Sequence, residues 1–310
     1  MTDAMLSPGA GLADPPAMHA LAPAKVNLRL EVKGPRSDGY HDLRSLAVAV
    51  GLFDELRFSA APSGSLELTC SDPSLPCDEK NLIVRAARLL AERTGTDRGA
   101  RIDLIKGIGI GAGLGGGSSD AAATLQALNR MWQSDVGQDK LAAWAADIGS
   151  DVPLFFSLPT AVMWGRGEKT RPVRMSWSGW VVLVFGDVPV FTAEVYRAWK
   201  PEDSQPGRGD EIERMIETSS AAAIMELAVN DLQPAVFRVS PTTERLYVRV
   251  RDMGLPVRVS GAGSTLFALF DKHQAADEAV AELRSAGLHC TSVGAGDAAV
   301  ANPNDGQRDD

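Results

Sequence analysis

Cysteine, tyrosine and histidine are scarce in this chain of 310 residues, with three, three and four copies. Cys70, Cys77 and Cys290 are odd in number and lack metal-type spacing, so free thiols in a reducing cytoplasm are expected. Positive charge is also short: 31 Lys and Arg against 40 Asp and Glu leave a net charge of −9. With the basic residues scattered among acids, that balance argues against nucleic acid and an acidic membrane surface as partners. No apolar run approaches the ~18–20 residues of a membrane span. The first nineteen residues lack the basic start and apolar middle of a signal peptide, so they read as a loose leader. The charged tail from Asn302 reads as disordered. What remains is a cytoplasmic chain with 45% hydrophobic residues, enough for a sizeable core and, at this length, for two.

Glycine is the opposite case. Six of the nine positions from Gly109 to Gly117 are glycine, followed by Ser118, Ser119 and Asp120. Such a run adds no packing area and costs backbone entropy, but it offers free φ and bare amides that an anion can approach. The spacing of Ala122, Leu125 and Leu128 predicts a helix starting near Ser118, with two hydroxyls and a carboxylate in its first turn. Amide donors feeding a helix N-terminus favour phosphate. Gly111-Ala-Gly-Leu-Gly-Gly116 matches the dinucleotide pattern, yet the acidic residue expected ~20 positions on is missing from a suitable place, since Asp135 falls in a turn-like stretch. The Walker pattern fails because no Lys precedes Ser118 and Ser119. The loop is a phosphate binder of a third type.

Alternating and continuous apolar runs predict strands at Val26–Val32, Leu43–Leu52, Arg101–Ile105, Val181–Phe185, Val257–Val259, Thr265–Phe270 and Cys290–Val293. Leu56–Phe58 and Leu66–Leu68 read as short antiparallel pieces around a Pro-Ser-Gly turn. Helical spacing marks Asn81–Arg93, Lys140–Ile148, Thr192–Trp199, Ser220–Val229, Thr242–Met253 and Gln274–Ser285. The polar Pro201–Asp210 segment reads as a mobile surface loop. Strands first and helices later fit an α+β protein of two domains. Trp132, Trp144, Trp164, Trp180 and Trp199 are expected to pack rather than to bind ligand.

Three further segments carry chemistry. Ala22-Pro-Ala-Lys-Val-Asn-Leu-Arg29 puts Lys25 and Asn27 on one face of an apolar strand, and a cation buried there needs a partner. Ile148-Gly-Ser-Asp-Val-Pro-Leu-Phe-Phe156 sets Asp151 at a helix end, where it serves either as a cap or as a base. Val259-Ser-Gly-Ala-Gly-Ser-Thr-Leu-Phe267 is a second glycine turn between strands.

In this order the segments resemble the GHMP small-molecule kinase family of galactokinase, homoserine kinase and mevalonate kinase. The likeness covers residues 20–295 and includes Arg36-Ser-Asp-Gly-Tyr-His41, Asn81-Leu-Ile-Val-Arg-Ala-Ala-Arg-Leu-Leu90, Gly165-Arg-Gly-Glu168 and Asn230-Asp-Leu232. The Asp-Gly-Tyr-His and Asn-Leu-Ile-Val-Arg-Ala segments are the most specific. They look like the branch acting on a cytidine diphosphate-linked methylerythritol in the non-mevalonate isoprenoid route. Two departures stand out: Gly109 replaces the usual Pro before the loop, and Ser150 replaces the usual Ala beside Asp151.

The resemblance implies a two-domain GHMP kinase fold. A flexible leader would span 1–19, a ribosomal-protein-S5-domain-2-like N-terminal domain 20–170, a ferredoxin-like C-terminal α/β domain 171–301, and a disordered tail 302–310. It implies ATP and Mg²⁺ as cofactors, a small-molecule substrate phosphorylated on its 2-hydroxyl, and a monomer or homodimer. Lys25 and Asp151 would be the catalytic pair. Gly109, Ile110, Gly111, Ala112, Gly113, Leu114, Gly115, Gly116, Gly117, Ser118 and Ser119 would bind ATP, with the Ser119 hydroxyl on Mg²⁺. Asn27, Tyr40, His41, Thr192 and Tyr196 would contact the substrate. The alternatives are another kinase of the family, such as a homoserine or mevalonate kinase, a nucleotide-binding protein without catalysis, and a dehydrogenase. A cytidine requirement, ATP consumption and NAD binding respectively discriminate them.

Overall fold

Two long strands, β1 (Met18–Pro35) and β2 (His41–Ala61), form the antiparallel hairpin on which the first half is built. The structure is a computed structural model and describes residues 18–300 except 206 and 208, so the tail and all but the last two residues of the leader lie outside the described residues. β2 is one strand where the sequence suggests two pieces. Asp54, which interrupts the apolar pattern, is fully buried, and its carboxylate accepts the amides of Gly107 at 2.8 Å and Ile108 at 2.9 Å. A polar residue whose bonds are met inside does not end a strand.

The first unit continues with β3 (Leu66–Cys70), α1 (Leu82–Thr94), β4 (Gly99–Ile105), α2 (Gly116–Met131), α3 (Gln138–Ile148), β5 (Thr160–Gly165) and β6 (Lys169–Pro172). Its sheet runs β3-β4-β2-β5-β6, with β1 paired to β2. The expected antiparallel pairing of 66–68 with 56–58 is not formed. Instead β4 lies against β2, and β3 runs parallel to β4. Gly99 explains why: a Cβ there would stand 2.0 Å from the Pro62 carbonyl oxygen, so only glycine lets β4 slip in beside the turn. α1 begins where predicted, since the Asn81 side chain accepts the Ile83 amide at 3.0 Å, and it ends at Gly95 with φ +70°. The buried faces of α1, α2 and α3 make one core with Leu56, Phe58, Ile102 and Leu104 of the sheet.

The second unit holds β7 (Trp180–Val184), α4 (Thr192–Ala198), α5 (Glu211–Glu217), α6 (Ala221–Leu227), α7 (Gln233–Val239), α8 (Pro241–Asp252), β8 (Arg258–Val259), β9 (Leu266–Phe270), α9 (His273–Ser285), β10 (Cys290–Gly294) and α10 (Asp297–Val300). All its pairings are antiparallel in the order β10-β7-β9-β8, the fourth-first-third-second arrangement of a ferredoxin-like sheet. β5, β6, α5 and α7 were not read as elements; at four to seven residues each offers at most two helical turns or three alternations. The start of the Pro201–Asp210 segment is anchored rather than loose. Asp203 is buried against Arg238, 3.1 Å from its Nη1, and the Ser204 hydroxyl donates to the Val32 carbonyl at 2.8 Å. A second core of Leu46, Val48, Val50, Val181, Leu183 and Phe267 joins the two sheets and backs the cleft between them.

Candidate active site

The glycine loop crosses the floor of that cleft with its backbone oriented one way. Its carbonyls turn into the protein: Gly111 O accepts from Val190 N at 2.9 Å, Ala112 O from Thr265 N at 3.2 Å, and Leu114 O from Lys25 N at 3.0 Å. Gly113 O takes the Lys25 ammonium at 2.9 Å and the Ser260 hydroxyl at 3.1 Å. None of the amides from 109 to 115 donates to the protein among the described residues. Positive φ at Gly111, Gly113 and Gly115 makes this possible, and a Cβ on Gly113 would stand 2.1 Å from Ser260 O. A row of unpaired amides running into the N-terminus of α2 is built to take an anion with several oxygens.

Lys25 and Asn27 share a face of β1, as their spacing requires, and both are buried. The ammonium donates to Asn27 Oδ1 at 2.6 Å, and Asn27 Nδ2 donates to Ser45 Oγ at 2.8 Å. Burial holds the Lys25 pKa below its ordinary value, against the opposing pull of the Asp151 charge. Asp151 follows α3 in a turn leading to a short 3₁₀ segment, Pro153–Phe156. It does not cap that segment, and its carboxylate makes no hydrogen bond and no direct ion pair among the described residues. The two groups therefore act on each other through space, while both face one cleft of about 940 Å³.

Around them the same cleft is lined by Tyr40, His41, Thr192 and Tyr196, and by the loop from Gly109 to Ser118. The His41 ring rests 5.2 Å from both Tyr196 and Trp199, and burial lowers its pKa, favouring the neutral ring. Burial first, and the Asp151 charge second, raise the Tyr196 phenol pKa. Tyr40 is 48% exposed and carries the Arg166 guanidinium 5.0 Å from its ring centre. Ser119 differs from its neighbours. It is buried behind the lining, and its hydroxyl has no hydrogen-bond partner among the described residues.

Four residues that the sequence reading gave no role in the site, Asp54, Lys106, Asp120 and Arg166, join it. Lys106 directly precedes the loop and bridges two carboxylates, pairing closely with Asp54 and lying 3.3 Å from Asp120 in the first turn of α2. Burial pushes the Asp120 pKa up to about 8, with Lys106 opposing and Asp54 adding to the rise. Arg166 is the fourth. A lone carboxylate in the apolar run of β2 was the available signal for Asp54. Asp54→Ala would leave two buried amides unpaired and Lys106 with Asp120 alone, so a loss of about 3–5 kcal/mol is expected. Urea denaturation measures it, and a change under 1 kcal/mol would show that the network holds nothing.

The matches to known proteins follow this geometry. The family model described as the GHMP kinases N terminal domain matches residues 81–157, and the one described as GHMP kinases C terminal matches 212–289. The chain belongs to the GHMP kinase family. A curated 4-diphosphocytidyl-2-C-methyl-D-erythritol kinase of Shouchella clausii is 36% identical over 252 residues, 81% of this chain and 85% of that protein. A crystal structure of a 4-(cytidine 5'-diphospho)-2C-methyl-D-erythritol kinase superposes with a TM-score of 0.75 at 36% identity, covering 90% of this chain and 99% of that one. A homoserine kinase from Cytophaga hutchinsonii has a TM-score of 0.70 at 17% identity, with 94% and 96% of the two chains covered, and shares the fold alone. The GHMP kinase fold of two α+β units stands on these matches. Kinases of this family use ATP. Among the described residues, no helix is long and apolar enough to cross a membrane.

Proposed function

We propose that this GHMP kinase transfers the γ-phosphoryl group of ATP to the 2-hydroxyl of 4-diphosphocytidyl-2-C-methyl-D-erythritol, in the non-mevalonate route to isoprenoids. The observation that carries the reading is the loop of outward amides opening into the same cleft as the unpaired Asp151 carboxylate. Phosphoryl transfer asks a protein chiefly to position the partners and neutralise charge. The amides from Gly109 to Gly117, with Ser118, hold the triphosphate. The acceptor hydroxyl oxygen bonds to the γ-phosphorus, the bond to the β–γ bridging oxygen breaks, and ADP leaves. Asp151 takes the hydroxyl proton. Lys25, fixed by Asn27 and Gly113, faces the reacting oxygens with its charge and orients the acceptor.

Asp120 lines the cleft and has one buried oxygen, Oδ1, without a partner, which fits a hard cation bound mainly through phosphate; the partnerless Ser119 Oγ lies behind the lining and would reach such a cation only by turning outward. Asp120 would hold Mg²⁺, which when bound neutralises charge on the transferring group. Among the described residues no cluster of three His, Cys, Asp or Glu offers an alternative metal site.

At the other end, Tyr40 gives a face for the cytosine and His41 reads its edge, while Asn27, Thr192 and Tyr196 contact the rest of the acceptor. Tyr40→Ala should raise the KM for the cytidine substrate by about 5- to 150-fold, the equivalent of ~1–3 kcal/mol of base stacking, with KM for ATP unchanged. Tyr40→Phe should lose far less. The uridine analogue should be penalised because it leaves a polar partner unpaired, and bare methylerythritol phosphate should be a poor substrate. Equal efficiency on all three acceptors would return the chain to the wider family, with a homoserine or mevalonate kinase as the next reading.

A further inference from the structure

A single turn links the two ends of the cleft. Gly165 at φ +73° and Gly167 at φ +112° bend residues 165–168, and Glu168 closes the bend by accepting the Arg166 amide at 2.7 Å. One side of the turn lies against the acceptor end: a Cβ on Gly167 would stand 3.2 Å from Asp151 Oδ1. The other side carries Arg166, stacked over Tyr40. The Arg166 side chain donates one hydrogen bond, from Nη2 to the Ala146 carbonyl at 2.9 Å, and makes no other among the described residues. Lys25 and Lys106, two other cations of the cleft, are already committed to Asn27 and Gly113 and to Asp54 and Asp120.

An acceptor whose base rests on Tyr40 and whose hydroxyl reaches Asp151 has its two phosphates between those points, beside this guanidinium. We propose that Arg166 binds the diphosphate bridge of the nucleotide-linked acceptor and thereby sets the preference for an acceptor carrying a nucleoside diphosphate. The inference rests on the acceptor reading given under Proposed function. A guanidinium stacked on an aromatic face keeps its edge N–H groups free, and that edge matches phosphate oxygens in pairs. The flanking glycines matter because they hold the guanidinium at a fixed height between the base and the hydroxyl. Its contact with Tyr40 also couples base binding to phosphate binding, so the two ends of the acceptor are recognised as one object.

The test compares cytidine and CDP as competitive inhibitors of the wild type, Arg166→Ala, Arg166→Lys and Arg197→Ala, with ATP and the cytidine substrate as reactants. Arg166→Ala should weaken CDP by about 10- to 100-fold, the range for a charge-assisted phosphate contact, and cytidine by less than threefold. KM for the cytidine substrate should rise with CDP, and KM for ATP should stay put. Arg166→Lys should recover only part of the CDP affinity, because it restores the charge without the paired N–H edge or the stacking on Tyr40. Equal weakening of cytidine and CDP would make Arg166 a prop for Tyr40 and overturn the proposal. So would an unchanged CDP constant, or a loss that follows Arg197→Ala instead, since Arg197 also lines the cleft. A wild type that ignores the cytidine substrate altogether would sink the acceptor reading itself, a result distinct from any of these.

Discussion

Asp151→Asn is expected to lower turnover by about 10²-fold or more while leaving ATP affinity nearly unchanged. The amide keeps the shape of the carboxylate and removes its proton acceptor. No structural bond is lost in the exchange, because the carboxylate makes none among the described residues, so stability should hold. Lys25→Met should act in the same direction, with an added structural cost from the vacated Gly113 carbonyl and Asn27. The double variant should lose much less than the product of the two single effects, as residues acting together on one reacting group do. Steady-state kinetics on the four proteins gives the answer. Near-normal turnover in Asp151→Asn removes it as the base, and strict multiplicativity would mean that the two never act on the same oxygen.

Gly115→Val should cost at least tenfold in ATP affinity, with only a modest fall in melting temperature. Gly115 stands at φ +76° just before α2, where a branched side chain is strained by backbone alone. Its Cβ would also stand 3.0 Å from Phe155 Cζ and 3.1 Å from Lys25 Cε, so the substitution presses on the catalytic lysine as well as on the phosphate path. Gly116 is different: it is already helical, and its Cβ would meet Ile108 and Asp54 at 3.0 and 3.1 Å. Gly116→Val should therefore disturb the Asp54 network more than the loop conformation. Calorimetry with ATP separates the cases, and an unchanged affinity in Gly115→Val would put the phosphate cradle elsewhere.

The glycine loop was legible because a missing Cβ is visible in the sequence, and its φ values are the ones only glycine takes cheaply. The pairing of Lys25 with Asn27 was legible too, since a strand fixes which residues share a face. The placement of Asp151 opposite them was carried by the resemblance, not by spacing, for no local rule connects a turn after α3 to β1. Asp54 and Lys106 stayed hidden for the same reason, and Asp120 was read only as a carboxylate in the first turn of its helix. Asp54 is a single carboxylate in an apolar run, and the meeting of the three depends on how β2, β4 and α2 pack. The pairing of β3 was misjudged because a turn signal says that the chain reverses, not which strand it then meets. Arg166 was quoted only within a family motif, while its partner Tyr40 lies on a turn far upstream.

The central claim is tested most directly by incubating the protein with ATP, Mg²⁺ and 4-diphosphocytidyl-2-C-methyl-D-erythritol and following the acceptor by phosphorus NMR. The account predicts one ADP and one new phosphomonoester per turnover, with the ester on the 2-hydroxyl and the diphosphate bridge intact. ATP hydrolysis at the same rate with and without the acceptor, or an ester on another hydroxyl, would contradict it.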